Sequence, residues 1–195
     1  DELLRTEGAV LLMQGAGISL QRFQMTCDGA ICSLLDHLRA AKAVRVQTEA
    51  EFDGVLGPVP LTGKVDLLVE LPDNMVVALD MKWRGDNHYA RMLREGGHLQ
   101  LALYSSLVEQ KTGTAPAALG FFILESGALF VSHPGFFPQA QFTPPPEGVT
   151  VAALLDRAKA TWSWRTGQFA AGQIEVVPKG PSEDYNGPEG TLPVK

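Results

Sequence analysis

Apolar residues fall into short runs along much of the chain, and the most compact of these runs predict buried β-strands. Residues 76–79 form an unbroken β-branched and aliphatic segment, which is typical of a core strand. A second apolar segment, residues 65–69, surrounds Asp66. The sequence Pro72-Asp73-Asn74 between them is typical of a turn, so the two segments are expected to form a hairpin. Further strands are predicted over residues 44–52, 117–124 and 128–132.

Other segments repeat their apolar residues every three or four positions and therefore predict helices. The first helix is expected to begin at residue 28 or 29 and to end near residue 43. Its buried stripe is predicted to consist of Ile31, Leu34, Leu35 and Leu38. The last helix is expected to run from Thr150 to about Arg165, with Gly167 as its stop and with Trp162 and Trp164 in the core or at its rim. Two more helices are predicted over residues 89–95 and 98–112.

The remaining segments bound the domain. Residues 1–23 give no clear pattern, and the glycine- and proline-rich segments 54–60 and 134–148 are predicted to be irregular connections. Proline, glycine and charge dominate from residue 178 onward. We therefore expect a single domain over residues 1–177 and a tail, 178–195, that is disordered or held by a partner. Because the chain begins without methionine, we expect it to be one domain of a longer protein.

Composition narrows the class of protein. The chain has 195 residues, of which 45% are hydrophobic, and this is enough for one sizeable core. No apolar stretch approaches the roughly 18 residues of a membrane span, so we expect no membrane contact and a cytoplasmic location. Two cysteines, Cys27 and Cys32, are too few for a disulfide framework or an iron–sulfur cluster. The net charge of −6 argues against a broad electrostatic grip on nucleic acid.

Charged residues at the ends of the two core strands indicate a site. Asp80 and Lys82 follow the apolar run of their strand and, being two residues apart, are expected to lie on one face of it. Unpaired charges in such a place cost several kcal/mol, so packing alone does not explain them. In the hairpin, Asp66 is expected to lie beside Asp80, and two close carboxylates would drive a proton onto one of them unless a divalent cation supplies the missing charge. Oxygen ligands of this kind favour a hard ion, Mg²⁺ or Mn²⁺.

Three motifs in this order carry a resemblance to a known family: Gly63-x-x-Asp66, Asp80-x-Lys82 and Gln100-x-x-x-Tyr104. Together with an upstream glutamate, they resemble the PD-(D/E)XK nuclease superfamily and, within it, the RecB-like branch, which shares the Gln-x-x-x-Tyr motif. The resemblance covers roughly residues 29–130. It implies an α/β fold with a central mixed β-sheet flanked by helices, that is, a restriction-endonuclease-like core.

The resemblance also implies roles for individual residues. Asp66, Asp80, Glu49 and the carbonyl of Met81 would hold the metal ion, with Glu51 as the alternative to Glu49. Lys82, Asp80 and Asp66 would be the catalytic residues. Gln100 and Tyr104 would help to position the nucleic acid. The family often has a histidine where this chain has Ser33, and His37, one turn further along the helix, is a substitute candidate for contacting the site or a phosphate. Arg84 is a candidate phosphate contact, in a segment predicted to form a loop or lid over the site.

Three functions fit these residues. The preferred one is a Mg²⁺-dependent DNA nuclease that hydrolyses phosphodiester bonds in DNA processing, recombination or repair, with DNA and a helicase or recombination protein as partners. The alternative is a nuclease-like domain with weak catalysis that binds nucleic acid ends or a protein partner, which the acidic net charge and Ser33 favour. A third is hydrolysis of a different substrate on a similar fold.

Overall fold

The computed structural model describes residues 15–173, together with residues 8, 12 and 13. Its centre is a six-stranded sheet in which the strands are ordered as they occur along the chain. The strands are β1 (Arg45–Leu56), β2 (Val59–Glu70), β3 (Val76–Lys82), β4 (Ala118–Ile123), β5 (Ala128–Val131) and β6 (Gln141–Phe142). The α-helices are α1 (Gly17–Ala40), α2 (Asp86–Arg94), α3 (Leu99–Thr112) and α4 (Val151–Ala170).

The sheet is mixed. β1, β2 and β3 form an antiparallel meander, and the predicted turn between β2 and β3 is a short 3₁₀ segment, Pro72–Asn74. β3 and β4 pair in parallel, and the connection between them contains α2 and α3, as a parallel crossover requires. β4 and β5 form the second predicted hairpin. The expected α/β fold with a central mixed sheet flanked by helices is confirmed.

Each face of the sheet carries its own apolar core. On the side that we call the α3 face, Ala78 and Phe121 pack with Leu101 and Leu107 of α3. On the opposite side, the α1 face, buried strand residues pack with Ala30 of α1. α4 lies outside α3, where Leu154 and Leu155 pack against Ala102. The strands are therefore covered on both sides, and polar groups at the strand ends can be buried on either side.

The alternation of side chains along β2 shifts at Asp66. Val65 packs in the core of the α3 face, whereas Leu67, two residues later, packs in that of the α1 face. Residues two apart on a regular strand share a face, so the pleat is interrupted between them. The neighbouring strand β1 is irregular at the same level. Glu49, which lies opposite Asp66 in the register, has φ 53° and is skipped by the β1–β2 ladder.

The first helix differs from its prediction. α1 begins at Gly17, well before residue 28, and its buried residues are Ala30 and His37. Two residues of the expected stripe, Ile31 and Leu35, are 56% and 42% exposed. The sequence has apolar residues on two adjacent faces of this helix, so its pattern does not decide which face is buried. The face that packs on the sheet is the one that carries the small Ala30.

Two other predictions are corrected. Residues 54–60 are largely strand, because β1 and β2 continue toward each other and leave only a tight turn at residues 57–58. α4 continues past Gly167 to Ala170, because Gly167 keeps helical geometry and the glycine with positive φ, Gly172 at 72°, comes later. Trp162 and Trp164 of this helix are 54% and 50% exposed, so they do not belong to the core.

The structure tests the predicted irregular connection at residues 134–148 but not the predictions about the C-terminal end. The segment 134–148 is irregular except for the short strand β6. The domain limit at residue 177 and the tail 178–195 lie outside the described residues. None of the described helices combines the length and the apolar character that crossing a membrane would require.

Candidate active site

The two central strands separate where the predicted site begins. The β2–β3 ladder ends at the pair Leu67 and Leu79, one position before Asp66 and Asp80 would pair. Continuation of the ladder would direct the N–H of Met81 to the main chain of β2. Instead, the N–H of Met81 donates to Oδ2 of Asp66 at 2.7 Å. The Asp66 carboxylate thus replaces a main-chain acceptor, and it is fixed beside the end of β3.

Asp80 and Lys82 form the predicted pair on one face of β3. Nζ of Lys82 lies 3.0 Å from Oδ2 of Asp80. The Asp80 side chain is 1% exposed and that of Lys82 is 18% exposed, so the ion pair is largely shielded from water. In such surroundings each charge depends on the other, because loss of either partner leaves a buried charge without compensation. The expected arrangement of the Asp-x-Lys motif on a shared strand face is present.

Helix α3 brings two further predicted residues to this pair. Nζ of Lys82 donates to Oε1 of Gln100 at 3.2 Å, and Nε2 of Gln100 donates to the hydroxyl of Tyr104 at 2.8 Å. Gln100 and Tyr104 are one helical turn apart and point the same way. The result is a continuous polar chain that runs from Asp80 through Lys82 and Gln100 to Tyr104.

Tyr104 lies close enough to both aspartates for their charges to affect its ionisation. Burial is the main cause that raises the pKa of the Tyr104 hydroxyl above its usual 10.0. The negative charges of Asp80 and Asp66 raise this pKa further, while the hydrogen bond from Gln100 and the charge of Lys82 lower it in part. Tyr104 therefore stays protonated at neutral pH. Its hydroxyl accepts from Gln100 and keeps its own O–H for donation.

Gly63 explains why α3 can lie this close to β2. A Cβ atom at position 63 would lie 2.6 Å from Cδ1 of Leu107 and 3.6 Å from the ring of Tyr104. Real Cβ atoms essentially never come as close as the first of these distances, so the buried side chain of Leu107 would have to shift before a larger residue could replace the glycine. The glycine of the Gly63-x-x-Asp66 motif thus allows the helix that carries Gln100 and Tyr104 to lie close to β2.

Glu49 lies near the site but faces another partner. It occupies the register position opposite Asp66, and its carboxylate lies 3.6 Å from Nζ of Lys64 at the protein surface. Among the residues that the structure describes, no three acidic, histidine or cysteine side chains come together closely enough to hold a metal ion. The structure therefore holds the Asp66 carboxylate at the end of β3, the strand that carries Asp80, and leaves Glu49 in its ion pair with Lys64.

His37 is not brought to the carboxylates. It is buried on the α1 face, and its ring packs edge-on against Phe122 with 6.4 Å between the centroids. Asp80 lies on the α3 face, opposite Phe121 in the β3–β4 register. The sheet itself therefore separates His37 from the site. Burial, chiefly, lowers the pKa of His37 below 6.5, which favours the neutral ring.

The segment after β3 forms a helix instead of a lid. Arg84 is exposed in the short loop after β3, and α2 follows at once. Ala90 and Leu93 of α2 are buried in the core of the α3 face, which fixes the helix to the sheet. A residue that the sequence did not single out, Tyr89, places its ring near Lys82, with 5.7 Å between Nζ and the ring centroid. Its only sequence signal is an aromatic residue one turn after Gly85.

The donors in this site fit a hard divalent cation. Asp66 and Asp80 supply carboxylate oxygens at the point where β2 and β3 separate. Since the N–H and C=O of a strand residue point toward the same neighbouring strand, the carbonyl of Met81 is directed to the same side as its N–H. Oxygen donors of these two kinds are the ligands that Mg²⁺ and Mn²⁺ prefer.

Comparison with known proteins identifies the family. The chain is similar to a candidate exonuclease from Eubacterium rectale whose crystal structure is known, with 19% sequence identity and a TM-score of 0.47. The similarity covers 77% of this chain and 55% of that protein, so the chain spans little more than half of that relative's length. No curated protein matches. The sequence profile of the PD-(D/E)XK nuclease superfamily matches residues 11–179, which are most of the chain, and the chain therefore belongs to the PD-(D/E)XK nuclease superfamily.

Proposed function

We propose that the chain is a divalent-metal-dependent nuclease of the RecB-like branch that hydrolyses phosphodiester bonds in DNA. The observation that carries the proposal is the shielded contact of 3.0 Å between Lys82 and Asp80, beside the carboxylate of Asp66. A fold needs no such pair at a strand end, since apolar residues of similar size are often equally stable there. PD-(D/E)XK nucleases generally use divalent metal ions, in keeping with the oxygen donors of this site.

The residues that would hold the metal ion are Asp66, Asp80 and the main-chain carbonyl of Met81. When bound, such an ion lowers the pKa of a water molecule and offsets the negative charge that develops on the phosphoryl oxygens. Glu49 is the remaining candidate ligand, and it would have to exchange its ion pair with Lys64 for the metal. Mg²⁺ or Mn²⁺ is the proposed ion.

The other residues of the site would act on the phosphate. Lys82 would donate from its ammonium group to the attacking water or to a phosphoryl oxygen, which favours the transition state over the ground state as charge accumulates. Gln100 accepts from Lys82 and so fixes the direction of the ammonium group. Tyr104 keeps its proton and would donate it in a hydrogen bond to a neighbouring phosphate oxygen.

The test is a cleavage assay with labelled linear and circular DNA, single- and double-stranded, with and without Mn²⁺. We expect Lys82→Ala and Asp80→Asn to lower the rate by about 10³-fold or more, because each removes charge stabilisation from the transition state. Lys159→Ala is the matched control, since this lysine forms an exposed ion pair with Asp156 on α4. Equal rates for Asp80→Asn and the parent protein would refute the mechanism.

A catalytically weak domain that binds nucleic acid ends or a protein is the alternative. It is favoured by the net charge of −6 and by Ser33, whose hydroxyl is engaged with the carbonyl of Gly127 at 2.7 Å and which supplies no imidazole. Under this alternative the parent protein would bind DNA ends without cleaving them.

The proposed nuclease function also includes a helicase or recombination protein as a partner. Addition of such a partner to the cleavage assay should then increase the rate.

A further inference from the structure

The ammonium group of Lys82 has a third neighbour besides Asp80 and Gln100. Nζ lies 5.7 Å from the centroid of the Tyr89 ring. This is within the range of about 6 Å in which an aromatic face attracts a cation. The carboxylate, the amide and the ring come from β3, α3 and α2 respectively, so three elements of the fold define the position of one charged group.

The ring of Tyr89 is itself held in place. It lies against the buried ring of Phe121, with 4.8 Å between the centroids, and the ring of His88 meets it edge-on at 4.9 Å. Gly85, at the start of α2, has φ 114°, and a Cβ atom there would lie 3.3 Å from the ring of Tyr89. The left-handed backbone of Gly85 and its missing side chain thus leave room for this ring orientation.

A fixed ring matters because the lysine side chain is long and flexible. Four methylene groups separate Nζ from the main chain, and an ammonium group has no preferred direction of its own. Asp80 and Gln100 attract Nζ, but the Lys82 side chain can reach them in several conformations. A rigid aromatic face adjacent to them restricts these conformations and also favours the charged ammonium form.

We infer that Tyr89 is a positioning residue that holds the Lys82 ammonium group toward Asp80 through the face of its ring. The inference rests on the proposed nuclease function, in which Lys82 acts on the phosphate. It assigns to α2 a part in the site that none of the three sequence motifs indicates. The phenol hydroxyl is not needed for this role, so phenylalanine should replace tyrosine.

The decisive test varies the electron density of the ring without changing its size much. Position 89 is occupied in turn by phenylalanine and by mono-, di- and trifluorophenylalanine, and cleavage of a labelled linear DNA is measured with Mn²⁺. We expect kcat to fall stepwise, by about 3- to 30-fold over the series, while KM and the melting temperature change little. The same series at Phe122, which is buried on the α1 face, is the control. A flat series at position 89 in an active protein would overturn the inference.

A second measurement does not depend on activity. A proton over an aromatic face has an upfield NMR shift, so the ε-methylene protons of Lys82, assigned with the help of Lys82→Arg, should be shifted upfield in the parent and in Tyr89→Phe. The shift should disappear in Tyr89→Leu. If it is unchanged in Tyr89→Leu, the inference is wrong even if the enzyme is active. A protein that shows the shift but does not cleave DNA would refute the proposed function alone.

Discussion

The end of β3 has opposite surroundings on the two faces of the sheet. On the α3 face, Asp80 and Lys82 are shielded from water and have polar partners on α3. On the α1 face, the intervening Met81 packs in an apolar core, and His37 favours its neutral form against Phe122. The same strand end is thus charged on one side and apolar on the other. Charge is retained where several charged and polar groups converge, which indicates a site and not a requirement of the fold.

Replacing the charged residues of the α3 face with apolar ones should have the largest effect on stability and on cleavage. Lys82→Met alone should lower the free energy of unfolding by about 3 kcal/mol, because Asp80 remains buried without its cation. Adding Asp80→Leu should restore most of that stability, since an apolar pair replaces the ion pair. Both proteins should lose cleavage by about 10³-fold or more. Denaturant unfolding together with the DNA assay measures this, and a double variant that still cleaves would contradict the account.

Substitution of Gly63 tests whether the close packing of α3 on β2 keeps the polar residues of the α3 face together. Gly63→Ala should destabilise the protein by about 1–3 kcal/mol, because its Cβ atom would meet Leu107, whose buried side chain would have to shift together with its neighbours on α3. Cleavage should fall as Gln100 and Tyr104 move away from Lys82. Gly29→Ala on α1 is the control, since nothing lies within 4 Å of its added Cβ atom. That variant should be as stable as the parent or up to about 1 kcal/mol more stable. Similar losses in both variants would remove the special role of Gly63.

The buried histidine on the α1 face predicts a pH dependence of stability. Since burial lowers the pKa of His37 in the folded protein below 6.5, the unfolded chain binds a proton first as the pH falls. Stability should therefore be fully present above about pH 6.5 and should decrease below it, by at most about 1.4 kcal/mol per pH unit for this residue. His98, whose pKa is also lowered chiefly by burial, adds a second contribution. The slope should be shallower in His37→Gln while cleavage at pH 8 is retained. An unchanged slope, or loss of cleavage, would contradict this placement.

Substitution of Glu49 should have the smallest effect on stability. Its φ of 53° is unfavourable for a residue with a side chain, so Glu49→Gly should leave the free energy of unfolding within about 1 kcal/mol of the parent. If Glu49 completes the metal site, Glu49→Gly and Glu49→Gln should both bind Mn²⁺ about tenfold more weakly. Calorimetry would measure the affinity. Unchanged affinity in both variants would exclude Glu49 from the ligands, and the ion pair with Lys64 would be its only identified role.

The sequence predicted the parts of the site that depend on local spacing. Asp80 and Lys82 share a face because strands alternate, and Gln100 and Tyr104 share a face because helices turn every 3.6 residues. The two hairpins likewise followed from apolar runs and turn residues. These features are decided within a few residues of one another.

The parts that were missed depend on packing between distant elements. The apolar pattern of α1 fits two faces, and the choice between them is made by the sheet, so Ile31 is exposed and His37 is buried. The shift of alternation at Asp66 and the left-handed Glu49 occur where β2 separates from β3, and the sequence has no local signal for them. Tyr89 was overlooked for the same reason, since its partner Lys82 lies on another element.

We propose that Asp66 and Asp80 together bind one divalent ion, and titration calorimetry with Mn²⁺ can measure this binding without an activity assay. We expect one site per chain in the parent protein and none in Asp66→Asn or Asp80→Asn, while the melting temperatures of the metal-free variants should show that both variants fold. Lys159→Ala should bind as the parent does. Binding of Mn²⁺ that neither aspartate substitution weakens would contradict the claim.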